Sequence, residues 1–179
     1  MEFRCPDPKA TVRAANVKAT FDAFKFSPTM GRKLVERHQL NFADLKPDAY
    51  ILVQRWLDAL KEIQEQVGPM TVRSVGASIV DNADIPPIFP DTESLLLALN
   101  DLYKKHHRGD VGVYVISQKP DKAIEIRCQT PYPRMFEWGL IEGFCKNQRF
   151  KHKGKFDVEY VEGPVGSVLT CVVTARRIA

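Results

Sequence analysis

Hydrophobic positions in the first 108 residues recur at intervals of three and four, the spacing of one face of an α-helix. Val12, Ala15, Ala19 and Ala23 follow Asp7-Pro8, a capping side chain ahead of a proline at the first helical position, so a helix is expected there. Ser27-Pro28 repeats the signal ahead of Met30, Leu34 and Val35. The longest stripe, Ile51, Leu52, Trp56, Leu60, Ile63 and Val67, predicts a helix over residues 48–67 that Gly68-Pro69 stops. Val72, Val75, Ile79 and Ala83 carry helical spacing through 70–83, which favours a helix there, although the β-branched content would also suit a strand. Ile85-Pro86-Pro87-Ile88-Phe89-Pro90 cannot be regular structure, because its prolines lack the backbone donor, and it is read as a loop. Asp91 or Thr92 then caps a helix over 95–107, with Leu95, Leu96, Leu99, Leu102 and Tyr103 inward and Gly109 ending it.

Beyond Gly109 the period becomes two. Val111, Val113 and Val115 alternate with Gly112, Tyr114 and Ile116, and Lys119-Pro120-Asp121-Lys122 is a turn. Residues 123–129 answer as a second strand with Ile124, Ile126 and Cys128 on one face. Pro131 and Pro133 end it, 134–150 reads as a helix, and 156–161 and 168–175 read as two more strands. The expectation is an α+β domain, a helical N-terminal half followed by a β-β-α-β-β antiparallel sheet. Residues 1–179 form one ligand-binding-like unit, mainly helical over 1–108 and sheet with one central helix over 109–179.

Composition narrows the function classes. The chain has 179 residues and a net charge of +4, enough length for one core. Its basic residues are spread over both halves, which does not suggest nucleic-acid binding. No apolar run approaches the ~20 residues that span a bilayer, and residues 1–9 lack the apolar stretch of a secretory signal, so a cytoplasmic protein without membrane insertion is expected. Cys5, Cys128, Cys145 and Cys171 form no CxxC pair and are expected to be reduced.

Candidate chemistry concentrates at 131–145. Gly139 and Gly143 share one helix face and together cost a helix roughly 2 kcal/mol relative to alanine. Two readings account for them. Either the helix approaches the sheet closely, or the missing side chains leave room for a ligand between helix and sheet, walled by Phe136, Trp138, Leu140 and Phe144. On the second reading Gly139→Leu abolishes ligand uptake in a folded protein. Cys128, Cys145 and Cys171 are either small buried hydrophobes or, if they converge, a soft-metal or modifiable site. Cys128 and Cys171 are the candidates for a soft contact with the ligand. Lys104-Lys105-His106-His107-Arg108 places positive charge at a helix C-terminus, and His106 or His107 could each serve as a single axial ligand. The basic run at 145–155 with Phe150 reads either as a solvated loop or as a single-strand nucleic-acid surface. No carboxylate pairing demands acid–base catalysis, so no catalytic residue and no metal ligand is assigned; for an enzyme acting on an aromatic or tetrapyrrole-like substrate, Glu142 and Tyr132 are the titrating candidates.

The segment Phe136-Glu137-Trp138-Gly139-Leu140-Ile141-Glu142-Gly143-Phe144, followed by Val158-Glu159-Tyr160-Val161-Glu162-Gly163 and Leu169-Thr170-Cys171-Val172-Val173, resembles the 4-vinyl reductase domain and its relatives. Those relatives are the haem–nitric-oxide-binding domains and the vesicle-tethering subunits of the TRAPP type. The turn from Tyr103–Gly109 into Val111-Gly112-Val113-Tyr114 falls where such domains pass from helix to sheet. The resemblance covers roughly the last 80 residues. It implies a small-molecule-binding or sensory domain that signals through a protein partner, with a small hydrophobic ligand. The tethering branch implies instead a homodimeric assembly subunit with a filled groove. The haem-binding branch carries a Tyr-x-Ser-x-Arg element for the propionates. Tyr132-Pro133-Arg134 departs from it, which leaves the cofactor unassigned and haem without that element.

Overall fold

The computed structural model describes residues 2–46, 48–147 and 155–178. Helices of the N-terminal half are α1 (Ala14–Ala23), α2 (Pro28–Glu36), α3 (Val53–Gln66), α4 (Pro69–Asn82), α5 (Thr92–Leu97) and α6 (Leu99–His106). Threaded among them are three short strands, β1 (Thr11–Arg13), β2 (Tyr50–Leu52) and β3 (His107–Arg108), in the order β2-β1-β3. The C-terminal part is β4 (Val113–Gln118), β5 (Ile124–Gln129), α7 (Arg134–Lys146), β6 (Lys155–Glu162) and β7 (Cys171–Ile178), with an antiparallel sheet ordered β4-β5-β7-β6. The α+β class and the β-β-α-β-β order match the sequence expectation.

The small sheet does not. Helical spacing places Val12 and Ile51 in helices, yet they face each other across β1 and β2, and Val12 also pairs with His107. Val12 is fully buried. Pairing of Val12 with Ile51 on one side and His107 on the other outweighs a weak local helical preference. Asp7 accordingly caps no helix; its carboxylate accepts from the Lys9 amide at 2.8 Å in a local turn. The expected helix over 48–67 begins only at Val53, whose amide donates to the Ala10 carbonyl at 3.0 Å. The helix expected over 95–107 is two, α5 and α6, parted at Ala98, and Asp91 caps the first by accepting from the Ser94 amide. The basic run beyond Asn147 lies in part outside the described residues.

Helix α7 is covered on one side by the inward residues of the sheet and on another by α4. The α4–α7 crossing explains the spaced glycines. A Cβ on Gly139 would lie 2.0 Å from the Arg73 carbonyl oxygen and one on Gly143 2.6 Å from that of Ala77; from the other side, one on Gly76 would lie 2.1 Å from the carbonyl of Phe136. The two backbones therefore touch. Close approach is the reason for the glycines, as one reading expected, but it is to a helix of the N-terminal half and not to the sheet.

Candidate functional site

Where α7 turns toward α1, α3, α4 and α6, the packing leaves a cavity of about 50 Å³. Phe136, Leu140 and Phe144 reach it from α7 at helical i, i+4, i+8 spacing, Trp56 from α3, Leu99, Leu102 and Tyr103 from α6, and Tyr114 from β4. The cavity thus lies mainly toward the helical half, with Tyr114 of β4 the one described residue of the four-stranded sheet in its lining. Much of the space between these elements is filled by rings. Tyr132 stacks on Phe136 at 4.8 Å, Trp56 meets both edge-on at 5.3 and 5.4 Å, and Tyr103 packs on His107 at 4.1 Å.

The remaining residues singled out by sequence lie elsewhere. Trp138 is on a different face of α7, stacked on Tyr160 at 4.5 Å with the Arg73 guanidinium 3.6 Å above its ring. Gly139 and Gly143 are spent on the α4 contact and offer no room for a ligand. Cys128 and Cys171 face each other directly across β5 and β7, fully buried, reduced and on the sheet rather than on the cavity. Among the described residues no group of three or more His, Cys, Asp or Glu side chains is placed to hold a metal ion, so the late cysteines make no such site with Cys145. Glu142 is tied to Arg73 at 2.6 Å and to Lys146; burial works to raise its pKa, and these partners outweigh it and hold the carboxyl below its ordinary range. Tyr132 is pushed far above the ordinary tyrosine range by burial. The two candidates are thus shifted away from neutrality in opposite directions, Glu142 downward and Tyr132 upward.

The polar groups around the cavity are closely paired. The Tyr103 carbonyl can only accept, so His107 Nδ1 carries the proton and donates to it at 2.7 Å; Nε2 then accepts from the Tyr132 hydroxyl at 2.8 Å. Burial of this imidazole lowers its pKa to about 4. His106 Nε2 lies 3.2 Å from the Asp84 carbonyl and Nδ1 3.3 Å from Asn16 Oδ1, and burial lowers its pKa too. Behind Tyr114, the fully buried Glu137 of α7 accepts from the Tyr114 hydroxyl at 2.6 Å and from the Thr130 hydroxyl. Burial raises its pKa to about 7 against the pull of these two donors. Sequence reasoning missed Trp56, Tyr103, Tyr114, His107 and Glu137 as neighbours of one site. The only local sign was a carboxylate in a helix that is apolar almost all round, Met135-Phe136-Glu137-Trp138.

No known family and no curated protein matches this chain by sequence. Solved structures do. An H-NOX protein from Shewanella oneidensis, in its Fe(II)NO ligation state, superimposes with a TM-score of 0.68 at 15% identity, covering 93% of this chain and 99% of the other. A variant of the T. tengcongensis H-NOX gives 0.58 at 15% identity, covering 92% and 97%. The chain therefore has the H-NOX fold, that of the haem–nitric-oxide-binding branch, and the likeness takes in the helical half as well as the sheet.

The fold implies haem, and the residues present do not fit it. A haem iron needs an imidazole, thiolate, thioether or phenolate with a lone pair turned toward it. Both nitrogens of His107 are engaged by neighbours, and each nitrogen of His106 is covered by an oxygen, of Asn16 at 3.3 Å and of Asp84 at 3.2 Å. The hydroxyls of the cavity tyrosines are spent as donors, Tyr103 to the Val111 carbonyl at 2.7 Å, Tyr114 to Glu137 at 2.6 Å and Tyr132 to His107 at 2.8 Å, and Cys128 and Cys171 do not reach the cavity. Arg134, the cation nearest the departed propionate element, is committed to Glu2 at 2.9 Å and to Glu162. A void of about 50 Å³ is far smaller than the roughly 300–1,000 Å³ of ordinary small-molecule sites.

Proposed function

We propose that this chain is a sensory domain of H-NOX fold that works without haem, taking a small uncharged molecule into the cavity between α7 and the helical half and reporting its occupancy to a protein partner in the cytoplasm. The observation that carries this reading is the lining. None of the cavity's residues is Asp, Glu, Lys or Arg, and His106 and His107 are neutral at pH 7 because burial lowers both. A charged ligand would forfeit its hydration without a counter-charge, a cost of many kcal/mol, whereas an apolar one gains roughly 25 cal/mol per Å² buried. Volume sets the scale. An engineered apolar cavity of ~150 Å³ takes benzene, so about 50 Å³ suits a molecule of a few heavy atoms, or a larger one that displaces a ring.

Xenon is a suitable probe because it is apolar, uncharged and of this size. Saturable shifts of the Leu99, Leu102 and Leu140 methyl resonances under xenon pressure are expected, and filling the space with Leu140→Phe should abolish them. Native mass spectrometry with an absorbance scan tests the other half: no Soret band is expected after expression with added haem precursor. A Soret band with one haem per chain would overturn the haem-free reading. The assembly reading, a homodimer with a filled groove, has the ring cluster in its favour. It takes precedence if xenon leaves the methyl spectrum unchanged while light scattering gives twice the chain mass.

A further inference from the structure

The cavity walls differ in how they are held. All but Ala83, Ile85 and Tyr132 belong to a helix or strand. Tyr132 is buried, stacked and hydrogen-bonded. Ala83 and Ile85 are partly exposed and belong to residues 83–90, which have no regular structure. This segment is therefore the irregular and partly exposed part of the cavity's wall. Between those two wall residues stands Asp84, held twice. Its carboxylate accepts from Arg13 Nη1 at 3.0 Å, and its carbonyl lies 3.2 Å from His106 Nε2, whose ring is steadied from behind by Asn16. These partners sit at the end of β1, just ahead of α1, and at the end of α6, and both helices contribute residues to the cavity's lining.

We propose that residues 83–90 are a hinged cover over the cavity, and that Asp84 is its latch, fastened by Arg13 and His106. The proposal rests on the cavity reading above and adds how a ligand gets in. Three features of the segment suit the role. Pro86, Pro87 and Pro90 fix their own φ, so the cover swings as a stiff piece about its ends and does not crumple. The prolines donate no backbone hydrogen bond, so opening breaks few. Its tip carries Ile88, 75% exposed, which holds nothing in place. Arg13–Asp84 is the fastening whose loss is readable: with Asp84 largely exposed, such a pair is worth up to about 1 kcal/mol, which converts to about fivefold in the population of the open state.

The test is the exchange rate of dissolved xenon, measured on the full chain by saturation-transfer 129Xe NMR. Asp84→Asn removes the charge and keeps the carbonyl that His106 uses; Arg13→Gln removes the other half of the pair. Each should speed exchange about three- to fivefold, the double variant no more than either, since both delete one interaction. Xenon affinity should stay within about twofold of the parent, because a latch alters arrival and departure together. Arg37→Gln breaks a pair with Glu62 that joins α2 to α3, and should leave exchange unchanged. Bound xenon whose exchange is the same in Asp84→Asn and Arg13→Gln as in the parent would overturn the latch while leaving the cavity reading intact. Equal acceleration in Arg37→Gln would also overturn it, by showing general loosening. No xenon resonance in any protein would overturn both.

Discussion

Glu137 and His107 join one buried cluster through Tyr114 and Tyr132, both packed on Tyr103, and are perturbed in ways that oppose each other in pH. Glu137 is fully buried and held at about 7 against an ordinary value of 4.5. Below pH 4.5 it is protonated folded or unfolded. Between 4.5 and 7 the unfolded chain releases a proton that the folded chain retains, so stability falls with rising pH, and above about 7 the loss is complete. At about 1.4 kcal/mol per pH unit this is on the order of 3 kcal/mol. His107 runs the other way. Held at about 4 against 6.5, it leaves the folded chain with fewer protons than the unfolded one across that window. Its contribution therefore rises between pH 4 and 6.5, again by on the order of 3 kcal/mol. His106, lowered by burial, reinforces His107.

The native protein should therefore show a stability that climbs only gently between pH 4.5 and 6.5, where the Glu137 slope offsets that of His107 and leaves the contribution of His106, and a decline just above. Glu137→Gln uncovers the histidine limb. An amide can accept from one hydroxyl and donate to the other, so the site stays satisfied. Urea unfolding from pH 4 to 8.5, followed by circular dichroism, should give a variant whose stability climbs to pH 6.5 and then levels. At pH 8 the variant should exceed the parent by up to about 3 kcal/mol, a large fraction of the 5–15 kcal/mol typical of a domain. A Glu137→Gln profile parallel to the parent would refute the reasoning, since it would mean that Glu137 binds protons equally in the folded and unfolded chain and its pKa is not shifted by folding. The paired carboxylates do not disturb the window: Glu62, Asp84 and Glu142 are all held below their ordinary values, and their contributions are lost only as pH falls further.

Two further outcomes follow from packing. Gly139→Ala should gain roughly 1 kcal/mol of helix propensity and still lose 1–3 kcal/mol overall by denaturant unfolding, because the atom its Cβ meets at 2.0 Å is the Arg73 backbone carbonyl, which cannot rotate aside; a stability gain would show the α4–α7 contact to be looser. Gly139→Leu should therefore fail as a test of the cavity, disrupting the crossing itself. Thr20→Val leaves the buried Trp56 indole N–H without its 2.9 Å acceptor at a cost of about 1–3 kcal/mol, to be read as a drop in urea midpoint with unchanged slope.

The sequence by itself determined the elements whose signals are local. The Gly68-Pro69 stop, the Asp91 cap, the proline loop before it and the alternation after Gly109 all depend on neighbours within a turn or two, and each appears where its residues place it. Near-identical apolar periodicity could not separate Val12 and Ile51 from helix, because what makes them strand is each other, paired across 39 positions of chain. The same limit hid the site. Phe136, Leu140 and Phe144 were named as walls together with Trp138, which lies on another face of α7, and spacing does not say what a face meets. Only the crossing with α4 decided that Gly139 and Gly143 serve backbone contact and that the cavity lies toward Trp56 and Tyr103. His107 and Tyr132 were each readable as candidates on their own. Their hydrogen bond, which takes the imidazole lone pair that a haem iron would need, joins residues brought together by the docking of the helical half onto α7. That docking is a long-range burial of apolar surface, and no short window of sequence contains it.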